Sequence, residues 1–540
     1  MTTYILERLR KLNELNANPA WYNRDIYRLL CRKEMLIVAY ERVKSKTGNM
    51  TAGTDGTTLD GFSEVKVENL IKELRNENYQ PKPVRKTYLP KKNGEMRPLG
   101  IPSVKDKIVQ EAIRIILESI YDSNQGATFL ENSHGFRPNR GTHTALKAVT
   151  SWNGVAWFIE GDIKSFFDNI DHHVLIHLLR KRIQDERFIR LIWKFLRAGI
   201  FDNNQHFKSI RGTPQGGIIS PILANIYLHE FDVEVKGWVK LYTKGKRRKS
   251  NPIYRSLVRK RQCLLEQSKG ARTKEVRALE SQIEKTPSVD VNDPDFIRVR
   301  YVRYVDDWLI GVTGPYSLAV ELRNKASKFL SSQLKLTLSS EKTVITSAFK
   351  DRANFLGMRI GNPNYKSVKV NTIHTEGKRT HRRRVNNNAL IRLEAPKDKL
   401  IKRLAEEGFC DRNGNPTSKT SLINNDPDDI VGHFNRVKRG LFNYYKPVNN
   451  KDVMNYIDYI LRMSLAKTLA NKFKTSVAKQ FQKRGKYLKV KKTLRDGSTK
   501  EVSYWDATFA SVAGGFMVNN PNPTAPNRGR LYGQLSLNRN

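Results

Sequence analysis

Arg300-Tyr-Val-Arg-Tyr-Val-Asp306-Asp307-Trp-Leu-Ile-Gly-Val312 sets two acidic residues between two apolar runs rich in branched and aromatic side chains. Such runs favour strands, so the carboxylates fall at the turn of a hairpin. Adjacent aspartates at a turn are ordinary on a protein surface. A second run of the same design changes their reading: Trp157-Phe158-Ile159-Glu160-Gly161-Asp162 also carries a buried strand onto an acid. Carboxylates delivered by two such strands can hold two Mg2+ ions about 3.5–4 Å apart. Hard cations take oxygen ligands, and Mg2+ is usually held by one or two carboxylates with substrate phosphates completing its shell. That arrangement suits in-line attack of a 3′-hydroxyl on a nucleoside triphosphate.

Outward from these runs, composition points to a polyanionic partner. The 540 residues hold 97 Lys+Arg against 53 Asp+Glu, a formal net charge of +44. Nucleic acid is the commonest large polyanion that such a chain meets. Apolar residues at 39% and aromatics at 9% suffice for real cores, which excludes wholesale disorder and leaves room for several domains. No run approaches 18 apolar residues and Met1–Arg10 has no apolar core, so neither a membrane span nor a secretory signal is expected. Glu7 and Glu14 speak against an acid-poor import peptide. Cys31, Cys263 and Cys410 form no CxxC pair, which excludes a disulfide framework and a cysteine-based zinc site.

Along the chain, residues to about Asn78 read as helices ending in a glycine-rich loop, Thr51 to Gly56. A hairpin follows, with its turn at Lys92-Asn93-Gly94, then a helix from Val104 to Tyr121 capped by Ser103, with Ile108, Ala112, Ile115, Ile116 and Ile120 on its apolar face. Ser220-Pro221 reads as the cap and first residue of another helix. Residues 236–285 carry 16 Lys/Arg against 4 Asp/Glu and read as an inserted basic helical element broken at Pro252 and Gly270. Lys366 to Arg384, with 7 Lys/Arg against one Glu, reads as a basic hinge. Three helical segments come next: Leu390–Glu407, Asp428–Tyr445 and Asp452–Phe481, the last with Val453, Ile457, Ile460, Leu461, Leu465, Leu469 and Phe473 near helical spacing.

With these features in place, the chain resembles the reverse transcriptases encoded by group II introns, in order from about residue 35 to 485. Tyr304-Val-Asp306-Asp307 is similar to the family's catalytic box, and Asp162-Ile-Lys-Ser-Phe-Phe167-Asp-Asn-Ile-Asp-His to its first-carboxylate motif. Gly212-Thr-Pro-Gln215-Gly-Gly-Ile-Ile-Ser220-Pro resembles the loop and helix that support the incoming nucleotide. Leu89-Pro-Lys91-Lys-Asn-Gly-Glu-Met-Arg97-Pro resembles the fingers hairpin, and His134-Gly-Phe-Arg137-Pro-Asn-Arg140 and Phe355-Leu-Gly357 match further blocks.

The resemblance implies an α+β fold: a right-hand polymerase, with antiparallel sheet in its fingers and palm, followed by an α-helical thumb and maturase domain. It implies Asp162, Asp306 and Asp307 as ligands of two Mg2+ ions, and dNTPs as substrates. Lys91 and Arg97 would contact the triphosphate, and Gln215 would lie under the nucleotide or template base. Phe167 would exclude a ribose 2′-hydroxyl. Phe166 or Phe167 would otherwise serve the core. Lys342 is the candidate proton donor to pyrophosphate. The implied organisation is an N-terminal extension (1–85), fingers and palm (86–365) with the insertion 236–285, a basic linker (366–389), the thumb and maturase domain (390–486), and a segment (487–540) with a candidate DNA-binding role. No cysteine follows Cys410 and no histidine follows His433, so a C-terminal nuclease of the kind these proteins often carry is not expected.

The implied activity is RNA-dependent DNA synthesis together with maturase action: binding the parent intron RNA in a lariat ribonucleoprotein, assisting splicing and reverse splicing, and copying the intron from an RNA template and DNA primer at a DNA target. Basic helices with Tyr444, Tyr445 and Phe473 interleaved suit phosphate contact and base stacking, or else those rings are core. Two alternatives stay open: a splicing-only maturase that keeps the fold, and an RNA-dependent RNA polymerase, against which Phe167 argues. No membrane partner is expected, and the chain is expected inside the cell, encoded in an organelle, the mitochondrion favoured, or made in a bacterial cytoplasm.

Overall fold

The computed structural model describes residues 2–46, 48, 50–90, 96–122, 128–202, 205–207, 211–213, 216–290, 293–362, 369–375, 378–385, 390–494, 496 and 498–517. Three helices lead, α1 (Thr2–Asn16), α2 (Ile26–Leu30) and α3 (Lys33–Lys44), and the glycine-rich loop that follows does not end the helical stretch. α4 (Glu64–Arg75) comes after it, because Val67, Leu70, Ile71 and Leu74 recur at helical spacing and are buried. β1 (Val84–Pro90) and β2 (Met96–Ile101) pair antiparallel from Arg85↔Ile101 to Pro90↔Met96. Their expected turn, with Lys91 and Lys92-Asn93-Gly94, lies outside the described residues.

Ser103 caps α5 (Val104–Tyr121), its hydroxyl accepting the Asp106 N–H at 3.2 Å. The five apolar positions read from the sequence are buried, but so is the polar side. There Arg114 pairs with Glu111 at 2.7 Å and Glu118 at 3.0 Å. Charges enclosed in this way must find partners, whether on the same helix or on its neighbours.

The central sheet is built from β3 (Trp157–Gly161), preceded by α6 (Thr142–Thr150), and from three later strands. Between them come α7 (Phe166–Asn169), α8 (His172–Arg180), α9 (Glu186–Arg197), β4 (Ile200–Asp202) and β5 (Gln205–Phe207). β4 joins the fingers sheet parallel to β1. α10 (Ser220–Tyr242) starts on Ser220 itself, without a side-chain cap. The chain is already helical at Ile219, and the Ser220 N–H bonds the Gly217 carbonyl at 3.3 Å, so Pro221 still stands where its missing N–H is free.

The basic insertion is a helical hairpin, α11 (Pro252–Gln267) and α12 (Lys274–Lys285), broken where the sequence suggested, with Gly270 at φ +86° between them. α11 buries none of its residues. At the base, Lys244 and Ile297 exchange backbone hydrogen bonds of 3.1 Å, and the Asp290 N–H reaches the Lys249 carbonyl at 2.8 Å.

β6 (Arg298–Tyr304), β7 (Asp307–Thr313) and, after α13 (Tyr316–Leu334), β8 (Val344–Ser347) complete the sheet in the order β6-β7-β3-β8, all antiparallel. Its side chains alternate between two cores. Ile159, Tyr301 and Ile310 join the helices of the first half, while Phe158, Val302 and Leu309 pack toward the C-terminal helices. Burial on both faces explains the near-continuous apolar runs.

β9 (Ala353–Phe355) and β10 (Met358–Gly361) follow. The described residues of the basic run read as a hinge pair as two strands, β11 (Lys369–Thr375) with β12 (Lys378–Val385). Val370, Thr372, Ile373 and Thr375 are β-branched, and this preference outweighs the local charge. The first helical segment opens as a strand, β13 (Arg392–Glu394), which extends the β9–β10 sheet, before α14 (Lys397–Glu406). α15 (Pro427–Tyr444) and α16 (Lys451–Lys472) follow, and the third segment then breaks at Phe473-Lys474, the latter at φ +47°, before Ser476 caps α17 (Val477–Arg484). The predicted apolar stripe of α16 is buried except for Phe473, which is 39% exposed.

Beyond it, β14 (Val490–Thr493), β15 (Thr499–Val502) and α18 (Phe509–Val512) fold back, burying Tyr504 and Phe509 in the same core as α15 and α16. The architecture is α+β, a sheet-centred part followed by a helical one.

Candidate active site

Tyr304↔Asp307 is the last pair of the β6–β7 hairpin, so Val305 and Asp306 form its turn. Val305 sits at φ +61°, a conformation that β-branched residues avoid. Arg303 holds it there. Fully buried, it donates to the Val305 carbonyl at 2.9 Å and to Asp232 through Nε at 2.7 Å and Nη2 at 2.6 Å. The Tyr301 hydroxyl also donates to Asp232, at 2.7 Å, and Ser133 Oγ and Asn225 Oδ1 accept the remaining Arg303 bonds. Gly135 presses on the same turn: a Cβ there would lie 2.7 Å from the Val305 nitrogen. The His134–Arg140 block thus acts as a clamp on the turn, anchored by Arg137 to Asp122 at 2.7 Å.

Asp162 arrives from the neighbouring strand. Gly161 faces Trp308 in register, and a Cβ at Gly161 would drive into the buried indole, so only glycine fits. Asp162 therefore comes to the end of the sheet where Asp306 and Asp307 lie. Its carbonyl accepts the Ser339 N–H at 2.9 Å, and its carboxylate accepts Lys342 Nζ at 2.8 Å.

The charges are crowded. Burial, then the nearby Asp162 carboxylate, holds the Asp306 carboxyl above the usual range. Burial, then Asp306, pushes Asp307 up to about 8, against the lowering effect of a hydrogen bond from the Leu356 N–H. The hydrogen bond to Asp162 raises the Lys342 ammonium. Since the folded Asp307 binds its proton more tightly than the unfolded chain does, its own contribution to metal-free stability is fully present below about pH 4 and is lost as pH rises toward about 8. Thermal melts in a chelator should show that decline, and Asp307→Asn should flatten it; an equal slope in the variant would contradict the assignment.

Among the described residues no three His, Cys, Asp or Glu side chains form a ready-made metal cage. The donor set nevertheless suits Mg2+. It is all carboxylate oxygen, its mutual repulsion is what a divalent cation relieves, and substrate phosphates and water ordinarily supply the rest of the shell.

Residues 89–249 match the family model for reverse transcriptase (RNA-dependent DNA polymerase), and residues 388–511 match that for type II intron maturase. The chain is 37% identical over 488 residues to the group II intron-encoded protein LtrA of Lactococcus lactis subsp. cremoris, covering 88% of this chain and 79% of that one. It belongs to the group II intron-encoded reverse transcriptases and maturases. Identity is also 37% over 498 residues to the putative COX1/OXI3 intron 1 protein of Saccharomyces cerevisiae and 36% over 477 residues to a 91 kDa protein in the cob intron of Schizosaccharomyces pombe. These cover 91% and 86% of this chain but 58% and 56% of those relatives. No described helix is long and apolar enough to cross a membrane.

In this reverse transcriptase and maturase, then, the structure gathers Asp162, Asp306, Asp307 and Lys342 at one sheet end. Phe167 lies on α7, half-buried against the fully packed Phe166, and its carbonyl accepts the Thr213 N–H at 2.7 Å. Gly212, at φ +84°, is close enough to Asp168 that a Cβ would lie 2.8 Å from its carbonyl oxygen. The loop leading to Gln215 is thereby tied to Phe167, although Gln215 and Lys91 lie outside the described residues. Arg97 sits on β2 opposite Leu89.

Sequence reasoning missed Glu160, whose carboxylate accepts the Thr346 hydroxyl and, at 2.8 Å, the Asn354 N–H, stapling β3 to β8 and β9. An acid inside a buried run was the available signal. It also missed the Arg303–Asp232 pair, for which an arginine directly before Tyr304-Val-Asp306-Asp307 was the signal. Of the two readings of Tyr444 and Tyr445, stacking platform or core, the structure places both rings against the C-terminal core. Both hydroxyls turn inward, to Leu356 at 2.6 Å and Gly357 at 3.4 Å, while Phe473 lies against the Arg484 guanidinium, 4.7 Å from its centroid.

Proposed function

We propose that this chain copies RNA into DNA with Asp162, Asp306 and Asp307 as its catalytic carboxylates, and serves as maturase for the group II intron that encodes it. The observation that carries the reading is the convergence of these three carboxylates, from two paired strands and the turn between β6 and β7, at one end of the central sheet. Two Mg2+ ions, when bound, would supply the charge that activates a primer 3′-hydroxyl and neutralises leaving pyrophosphate.

The protein's own part is positioning. Asp162, Asp306 and Asp307 hold the cations, Lys91 and Arg97 orient the triphosphate, and Gln215 supports the nucleotide or template base. Lys342, already hydrogen-bonded to Asp162, carries the proton that pyrophosphate takes up. Intron RNA is held by the cationic surfaces of the N-terminal and helical parts, where phosphate contacts set affinity. Splicing, reverse splicing and cDNA synthesis at a DNA target follow as steps of one ribonucleoprotein, in the mitochondrion or bacterium that carries the intron.

The test is primer extension by the full chain on an RNA template with a DNA primer. Full-length cDNA with dNTPs is expected, and no incorporation under any divalent cation would overturn the polymerase reading. Phe167→Ala should raise rNTP relative to dNTP incorporation by roughly ten- to hundredfold, because it removes the steric bar to a 2′-hydroxyl. An unchanged ratio would remove Phe167 from that role.

A further inference from the structure

Three hydrogen bonds dock the chain at Gly212 and Thr213 onto the segment that joins α7 to α8. The Gly212 N–H donates to the Ile170 carbonyl at 2.8 Å, and the Thr213 N–H donates to the Phe167 carbonyl at 2.7 Å. The third comes from a side chain: His172 Nε2 donates to the Gly212 carbonyl at 2.7 Å. A carbonyl oxygen only accepts, so the imidazole carries its proton on Nε2. The fit is close, because a Cβ at Gly212 would lie 2.9 Å from the Phe167 carbonyl oxygen.

His172 can hold this loop because it is held itself. It opens α8 and is 3% exposed. Asp171, just before it, caps the helix by accepting the Val174 N–H at 3.0 Å and pairs with Lys335 at 2.8 Å. The Asp171 N–H donates to the Tyr227 hydroxyl of α10 at 3.3 Å, and that hydroxyl donates to the Leu334 carbonyl at the end of α13 at 2.6 Å. From α9, the Trp193 ring meets the imidazole edge-on, 6.2 Å between centroids. On the other side of Phe167, the Lys164 N–H reaches the Thr337 carbonyl at 3.0 Å and the Asp162 carbonyl accepts the Ser339 N–H at 2.9 Å. Phe167 is therefore fixed from two directions, by the strand end that carries Asp162 and by the loop that His172 grips.

We propose that His172 is a positioning residue for sugar selection: acting through the Gly212 and Thr213 peptides, its imidazole fixes where Phe167 stands relative to Asp162. The inference rests on the reading of Phe167 as the bar to a ribose 2′-hydroxyl. A steric bar discriminates only as well as it is held, and a displacement of about 1 Å at a reacting centre can change rates by about a hundredfold. His172 needs no contact with the nucleotide for this; it keeps the ring from retreating.

The test is single-nucleotide extension of a DNA primer on an RNA template by the full chain, with dNTP and rNTP compared. His172→Leu, which removes the N–H, should raise rNTP relative to dNTP incorporation by about tenfold, with primer–template affinity at the native level. His172→Gln, whose amide can re-form the bond to Gly212, should bring the ratio back toward native. If His172→Leu fails to fold, His172→Asn, too short to reach Gly212, takes its place. An unchanged ratio in the folded variant would overturn the proposal. So would an equal loss of dNTP and rNTP incorporation, which would make His172 a general prop of the fold. In a Phe167→Ala background, His172→Leu should shift the ratio no further, and a full additional shift would overturn the route through Phe167. Phe167→Ala alone separates the two levels: if it leaves the ratio unchanged, the reading of Phe167 fails. If Phe167→Ala shifts the ratio and His172→Leu does not, only the positioning role fails.

Discussion

Asp306→Ala is expected to lower primer extension at least about a thousandfold while the protein still folds and still promotes splicing of its intron. Asp306 stands at the tip of a two-residue turn that is fixed from behind by Arg303 and Gly135. Its carboxyl is raised by burial and by Asp162, so deleting it relieves repulsion rather than breaking a pair. At neutral pH without metal, the variant should melt at or above the native temperature. Intron binding rests on the basic surfaces and should keep its native affinity and salt slope. Extension within tenfold of native would refute the metal assignment, and loss of splicing with RNA affinity intact would refute the separation of binding from chemistry.

Arg303→Met should be the most damaging single change to stability, at about 3–5 kcal/mol, because it strands Asp232 as an unpaired charge with no exposure. The Val305 carbonyl and the Ser133 hydroxyl lose their partner at the same time. Denaturant titration measures the loss. Adding Asp232→Leu should restore much of it, since a buried pair replaced by apolar groups is often close to neutral. Extension should stay impaired in the double variant, because the turn bearing Asp306 still lacks the bond that holds Val305 in its left-handed conformation. If stability and activity recover together, the pair is only structural; if Arg303→Met alone is as stable as native, the account of the turn is wrong.

What could be read in the sequence was local. The Asp306-Asp307 hairpin, the Ser103 cap, the pairing of the two fingers strands and the breaks at Pro252 and Gly270 are set by residues within a few positions of one another, and each has its expected form. What could not be read depends on distant chain segments. Lys342 is a candidate by resemblance alone, and the Ser339–Asp162 bond that brings it to a carboxylate 180 positions away has no local signal. Tyr444 and Tyr445 had the composition of a stacking platform, and only the approach of the β9–β10 turn reveals that their hydroxyls face inward. The helical period of α5 shows one apolar face, whereas the fold encloses both sides.

The clasp at the foot of the α11–α12 hairpin has a consequence for how such proteins diverge. Lys244 and Ile297 grip each other one residue before β6 begins, so the chain leaves and returns at adjacent points. Closing a longer excursion between fixed ends costs little more than closing a short one. The clasp works as strain relief does on a cable, stopping a tug on the hairpin before it reaches Asp306. Related chains can lengthen, trim or exchange this arm without rebuilding the palm, and an engineer can hang a fluorescent reporter or affinity handle there for the same reason.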